Sequence, residues 1–129
     1  MNIRQGDPIP ELRVTPDRYL PHRYAGASGD FNPIHIDPEF AKQVGLPSTI
    51  LHGLYTMALV ARANLAVAGG DPSALKRLSV QFRGMGLPEK EIVVRGTVRE
   101  ASGAGVVIDT EAEQDGTRIV RNAVAELAG

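Results

Sequence analysis

HGLYTMALVARANLAVA, residues 52–68, is the stretch that decides how this chain folds. Only Thr56, Arg62 and Asn64 break the apolar character of residues 54–68. A helix that is apolar on nearly every side does not lie on a surface; other elements must wrap it. The run is shorter than the ~20 residues that span a bilayer. The expectation is therefore a core helix roughly 22–25 Å long, ended by the breakers Gly69-Gly70-Asp71-Pro72.

The wrapping material lies downstream. Leu78, Val80 and Phe82 alternate with Ser79, Gln81 and Arg83, the period of two of a half-buried strand. Ile92, Val94, Gly96 and Val98 continue the pattern against Val93, Arg95, Thr97 and Arg99. Residues 106–113 and 117–127 read as two more strands, joined by Asp115-Gly116, a strong two-residue hairpin signal. Ser102 to Gly105 is a looser turn, and such short links imply an antiparallel meander. Gly84-Met85-Gly86 lacks the rest of a dinucleotide fingerprint and reads as a strand irregularity.

Upstream, residues 11–14 suit a short strand. Thr15-Pro16-Asp17 carries the marks of a helix start: a capping hydroxyl, a proline and an early acid. Pro21 should kink or restart that helix, which reaches Ala25 before Gly26 and Gly29 loosen it. Asp37-Pro38-Glu39 repeats the signal for a short helix ending near Gly45, with Asp37 as its N-cap. The class is α+β: one buried helix against a curved antiparallel sheet, with short helices over one end. No repeat or long linker divides the chain, so residues 1–129 are expected to form a single domain. An unpaired edge strand is a liability, and a dimer that extends the sheet would cover it.

Hydrophobic residues make up 43% of the chain, enough for a continuous core. Fourteen basic residues balance fifteen acidic ones and are scattered, which argues against a nucleic-acid partner. Cysteine is absent, excluding disulfides, thiolate zinc sites and a cysteine nucleophile, and the cytoplasm is the expected compartment. MNIRQGDPIPEL lacks the apolar centre of a signal peptide, and no membrane insertion is expected.

Chemistry concentrates in SGDFNPIHID, residues 28–37. Asp30 and His35 flank Asn32-Pro33, whose turn tendency can swing both side chains back to one point. An aspartate is ordinarily ionised at neutral pH and a histidine mostly neutral. Together they can grip a water, one group taking its proton and the other orienting or returning it. Leu51-His52-Gly53 supplies the complement. If the buried helix starts there, its first N–H groups lack intrahelical partners and favour an oxygen that becomes negative during reaction. Such a combination suggests reversible addition of water to an activated acyl chain. His52 itself reads as packing against, or hydrogen-bonding, the loop that sets the helix start, and His22 as a surface residue. A metal reading competes, because His35-x-Asp37 with His52 imitates the two-histidine, one-carboxylate set of non-haem iron enzymes. Asp37 is committed to its cap, so no metal is expected.

YAGASGDFNPIHIDPEFA, residues 24–41, resembles the signature of the MaoC-like (R)-specific enoyl-CoA hydratases, the hydratase 2 family. ILHGLYTMAL, residues 50–59, is similar to their His-Gly-led central helix. Within that family the spelling looks closest to the mycobacterial-type (3R)-hydroxyacyl thioester dehydratase subunits. The resemblance implies a hotdog fold, with the long helix as sausage and the sheet as bun. It also implies roles: Asp30 and His35 activate the water that adds to C3 of a trans-2-enoyl thioester and deliver a proton to C2. The Gly53 N–H polarises the thioester carbonyl, with Asn32 and His52 in support. No metal or redox cofactor is implied, coenzyme A or acyl carrier protein being part of the substrate. A homodimer, or a heterodimer with another hotdog subunit, is the implied assembly. An acyl-thioester hydrolase on the same fold is the competing activity, against which the GDxNPxH spelling argues.

Overall fold

Five strands make one sheet, β1 (Leu12–Val14), β2 (Leu75–Phe82), β3 (Ile92–Ser102), β4 (Gly105–Gln114) and β5 (Thr117–Ala128). The computed structural model describes residues 3–129, so the first two residues of the expected domain lie outside it. The strand order is β1-β3-β4-β5-β2, with every neighbouring pair antiparallel. Alternation sets the faces: Val106, Ile108, Thr110, Ala112 and Gln114 of β4 are buried, while the residues between them turn outward. At the β4–β5 hairpin both Asp115 (φ 49°) and Gly116 (φ 76°) are left-handed, the requirement of a tight turn that matches strand twist.

The meander holds for β3, β4 and β5, but β2 is not beside β3. It pairs with β5 at the far edge, and residues 83–91 carry the chain back across the sheet. Gly84-Met85-Gly86 belongs to this link and is not an irregularity within a strand. Gln114 clamps the link, its amide donating to the Leu87 and Lys90 carbonyls while its oxygen accepts the Leu87 N–H. β2 also begins three residues earlier, and β3 ends three later, than alternation alone marked.

The central helix lies across one face of the sheet, the hotdog arrangement implied by the resemblance. Leu59, Val60 and Ala63 meet Ile92, Val94, Ile108, Val120, Ala123 and Ala125 in a single core. Two expectations for this helix change. It runs from Gly53 to Leu65, 13 residues or about 20 Å, and continues only as a 3-10 turn to Ala68. Gly69 and Gly70 are both left-handed, and the Gly70 N–H closes onto the Leu65 carbonyl at 2.8 Å, which stops propagation. Nor is the helix enclosed all round: Leu54, Ala58 and Arg62, spaced four apart, form an exposed stripe along it. Asn64 is fully buried because Thr110 on β4 exchanges hydrogen bonds with its amide, and the amide also donates to the Val60 carbonyl.

Three short helices cover the other end of the central helix: α1 (Leu20–Ser28), α2 (Pro33–Ile36) and α3 (Pro38–Gln43), so the central helix is α4. Thr15-Pro16-Asp17 does not open α1. Asp17 instead builds a turn, accepting the Tyr19 N–H on its side chain and the Leu20 N–H on its carbonyl. Pro21 then falls in the first helical turn, where its missing N–H costs nothing, and no kink results. Asp37 caps α3 as expected, accepting from the Glu39 and Phe40 amides. Among the described residues no helix is long and apolar enough to cross a membrane.

Candidate active site

Gly29 ends α1 in the left-handed conformation (φ 78°), and the chain turns out of the helix with Asp30 exposed. Asp30 folds its own loop, Oδ1 accepting the Asn32 N–H at 3.2 Å. Asn32 repeats the device one step on: its side-chain oxygen accepts the Ile34 N–H and caps the single turn of α2, with Pro33 in the first turn. That turn, which the sequence did not announce as a helix, faces His35 inward. Asp30 and His35 are thus brought together by two consecutive side-chain caps.

His35 is buried, and its Nδ1 is 2.8 Å from the Ile50 carbonyl. A carbonyl only accepts, so Nδ1 carries the proton and Nε2 presents a lone pair. Nε2 faces Asp30 Oδ2 at 3.8 Å. This is too long for a direct hydrogen bond and leaves a reacting oxygen room to touch both. The carbonyl that fixes the tautomer was invisible to side-chain motifs. Its segment is itself strapped, Ile50 N–H to the Ile34 carbonyl at 3.1 Å and Leu51 N–H to the Gly86 carbonyl at 2.8 Å.

His52 occupies the N-cap position of α4 without capping it through its side chain. Its Nε2–H donates to the Asp30 main-chain carbonyl at 3.0 Å, the loop contact expected of it. Its ring stacks on His35 with centroids 3.8 Å apart and planes 18° from parallel. Tyr24 of α1, given no role of its own by the sequence, packs on the same ring at 4.7 Å. Gly53 follows as the first residue of α4, so its amide begins the positive end of the helix one residue from a ring that touches both Asp30 and His35. The ring of Phe82 lies against Gly53, a neighbour contributed by β2 that no local pattern could supply. His22 is exposed, with Nε2 3.1 Å from the Ile36 carbonyl, and stays a helix-surface residue.

Ligand atoms of Asp30, His35 and His52 fall within 4.8 Å of one another, a different trio from the one that included Asp37. Their orientation does not suit an ion. Imidazole lone pairs lie in the ring plane, and an ion at about 2.0–2.1 Å from both nitrogens would have to lie in two stacked planes at once. The chemistry available is that of a carboxylate, an imidazole lone pair and an uncommitted helix amide. These can take a proton from water, return it, and hold a developing oxyanion.

Comparison with known proteins agrees with this reading of the fold. A family profile described as MaoC like domain matches residues 5–122. The peroxisomal enoyl-CoA hydratase 2 of Arabidopsis thaliana is 45% identical over 80 residues, which is 61% of this chain and 25% of that protein. The probable enoyl-CoA hydratase 2 of Dictyostelium discoideum is 31% identical over 123 residues, 95% of this chain and 40% of that protein. A MaoC-like dehydratase structure from Phytophthora capsici superposes with a TM-score of 0.83 at 31% identity, covering 99% of this chain and 42% of that one. This chain therefore spans less than half the length of each of these three. The match nonetheless runs through α1, the capped Asp30–His35 loop, α4 and most of the sheet, and the chain belongs to the MaoC-like domain family.

Proposed function

We propose that residues 1–129 act as one MaoC-like domain that adds water to trans-2-enoyl thioesters, giving (R)-3-hydroxyacyl thioesters, and catalyses the reverse dehydration. The observation that carries the reading is the opposition of His35 Nε2, its lone pair fixed by the Ile50 bond, to Asp30 Oδ2 at 3.8 Å. A water between them donates one hydrogen to each. One hydrogen is removed as the oxygen bonds to C3, and a proton is delivered to C2, so H and OH are added and nothing is oxidised. The Gly53 amide meets the thioester oxygen as negative charge builds there. Asn32 holds the loop through its cap. The enoyl-CoA hydratase 2 relatives support the substrate class. Coenzyme A or acyl carrier protein enters as part of the substrate, and the chemistry needs no metal or redox group.

A second protomer fits this proposal. β2 is an open edge eight residues long that ends on exposed Phe82, with Met85 exposed three residues further on. A homodimer that continues the sheet would cover it, and another hotdog subunit could take the same place. The mass of the assembly in solution separates these from a monomer. The compartment we assign is the cytoplasm, on the cysteine-free composition, whereas the Arabidopsis thaliana relative is named as peroxisomal.

Crotonyl-CoA tests the reaction. Hydration removes the enoyl absorbance and leaves the thioester intact; hydrolysis would release free thiol and make the domain a thioesterase. Loss of neither signal would remove the proposal.

A further inference from the structure

His52 takes no part in the proposed proton transfers, yet the residue is only 2% exposed. Its face lies on His35 and its Nε2–H holds the Asp30 carbonyl, so one side chain touches both halves of the site. The stack extends outward through Tyr24 to Tyr55, which meets Tyr24 edge-on at 5.9 Å. His52 Nδ1 is buried with no hydrogen-bond partner among the described residues. A buried acceptor without a donor is a cost that calls for a reason. A ring kept for packing alone would serve better as phenylalanine, which buries no unpaired nitrogen. The nitrogen that is used makes a single bond, to the loop that carries the carboxylate.

The two groups it touches need this help. His35 has one fixed point, the Nδ1–H bond to Ile50, and one bond leaves an imidazole free to rock about it. Asp30 sits in an exposed loop just past a left-handed glycine. Its carboxylate is oriented only as well as that loop is held.

We infer that His52 is a positioning residue: its Nε2–H ties down the Asp30 loop while its face keeps the His35 ring in register, and together they maintain the gap between the reacting atoms. The kinetic side of this rests on the proposed reaction; the structural side does not.

Three variants separate the two contacts. His52→Phe keeps the aromatic face and loses the donor, His52→Gln keeps a donor near the position of Nε2 and loses the face, and His52→Ala loses both. Turnover of crotonyl-CoA and nitrogen-15 shifts of the His35 imidazole are measured for each, with circular dichroism to report the folded fraction. In His52→Ala, kcat should fall about a hundredfold, the scale of a displacement near 1 Å, with KM changed less than about threefold. His52→Phe and His52→Gln should fall between it and the parent. His35, protonated on Nδ1 in the parent, should become a mixture of tautomers in His52→Ala and His52→Gln. Parent-like kcat and His35 shifts in folded His52→Ala would overturn the inference. So would losses in all three variants that track the folded fraction while the His35 shifts stay unchanged. If the parent protein turns over no enoyl thioester, the reaction falls, and the His35 shifts alone decide the positioning role.

Discussion

Phe82 lays its ring so close to Gly53 that a Cβ added to the glycine would meet ring carbons at 3.3, 3.5 and 3.6 Å. The first residue of α4 is thus kept small by a side chain from β2 rather than by a left-handed backbone. Size and hydrogen bonding at this position can be separated. Gly53→Ala keeps the N–H and should lower kcat/KM about tenfold by forcing a shift of some tenths of an ångström. Adding Phe82→Leu should recover most of the loss. Gly53→Pro deletes the N–H at a first-turn position that accepts proline, after a residue whose ψ of 137° is already what proline requires. It should cost roughly 10²–10³ in kcat, the effect of one lost oxyanion donor, with unchanged circular dichroism. Kinetics of Gly53→Pro no worse than those of Gly53→Ala would place the thioester oxygen elsewhere.

Asp30→Asn and His35→Ala should each reduce kcat at least about a hundredfold. The double variant should be little worse than either, because the two groups serve one water. They differ in stability. Asp30 is exposed, and its loss should leave the melting temperature near the parent's. His35→Ala removes the partly buried bond to the Ile50 carbonyl and should cost about 1 kcal/mol or more. Independent, multiplying rate losses in the double variant would mean that the groups act on different steps.

Asn64 and Thr110 form a second couple whose value lies in being complete. Replacing one, as Asn64→Leu or Thr110→Val, leaves a buried polar group unsatisfied and should cost about 1–3 kcal/mol by urea denaturation. The double variant Asn64→Leu, Thr110→Val should cost clearly less than the sum. Additive losses would show that the pair does not tie α4 to β4 in solution.

On the outer face of the sheet, the hydrogen bond from Arg99 holds the Asp109 carboxyl below its ordinary value, against the opposing effect of burial, and the arginine's charge adds to it. A lowered value in the folded protein means fewer bound protons than in the unfolded chain. The stabilisation is therefore full above the unfolded carboxylate value and vanishes as pH falls through the folded one. Both side chains are about half exposed, so solvent screens the pair and Arg99→Met should lower the urea midpoint only slightly near neutrality. The gap between parent and variant urea midpoints should close on acidification. A gap independent of pH would credit the arginine's alkyl stem instead.

What the sequence revealed follows the range of the forces involved. The Asp37 cap, the Asp115-Gly116 turn and the Asp30–His35 loop are each settled within a few residues, and each was legible. The start of α1 was misread because Pro16 and Pro21 offer equal local signals, and Asp17 resolves the choice by bonding Tyr19 and Arg23. The place of β2 at the sheet's far edge depends on pairing with β5 some forty residues on, which no window on the chain contains. The same holds for Phe82 against Gly53 and for the Ile50 carbonyl that sets the His35 tautomer. α4 was expected to be enclosed on all sides because a side chain's polarity records the surroundings it prefers, not which chain provides them.

All the groups assigned to the reaction arise between Asp30 and Gly53, with the Phe82 ring of β2 against Gly53 and the Gly86 carbonyl, in the link after β2, strapping Leu51. The proposed proton handling is thereby written in one short run of the gene, upstream of the four longer strands that wrap α4.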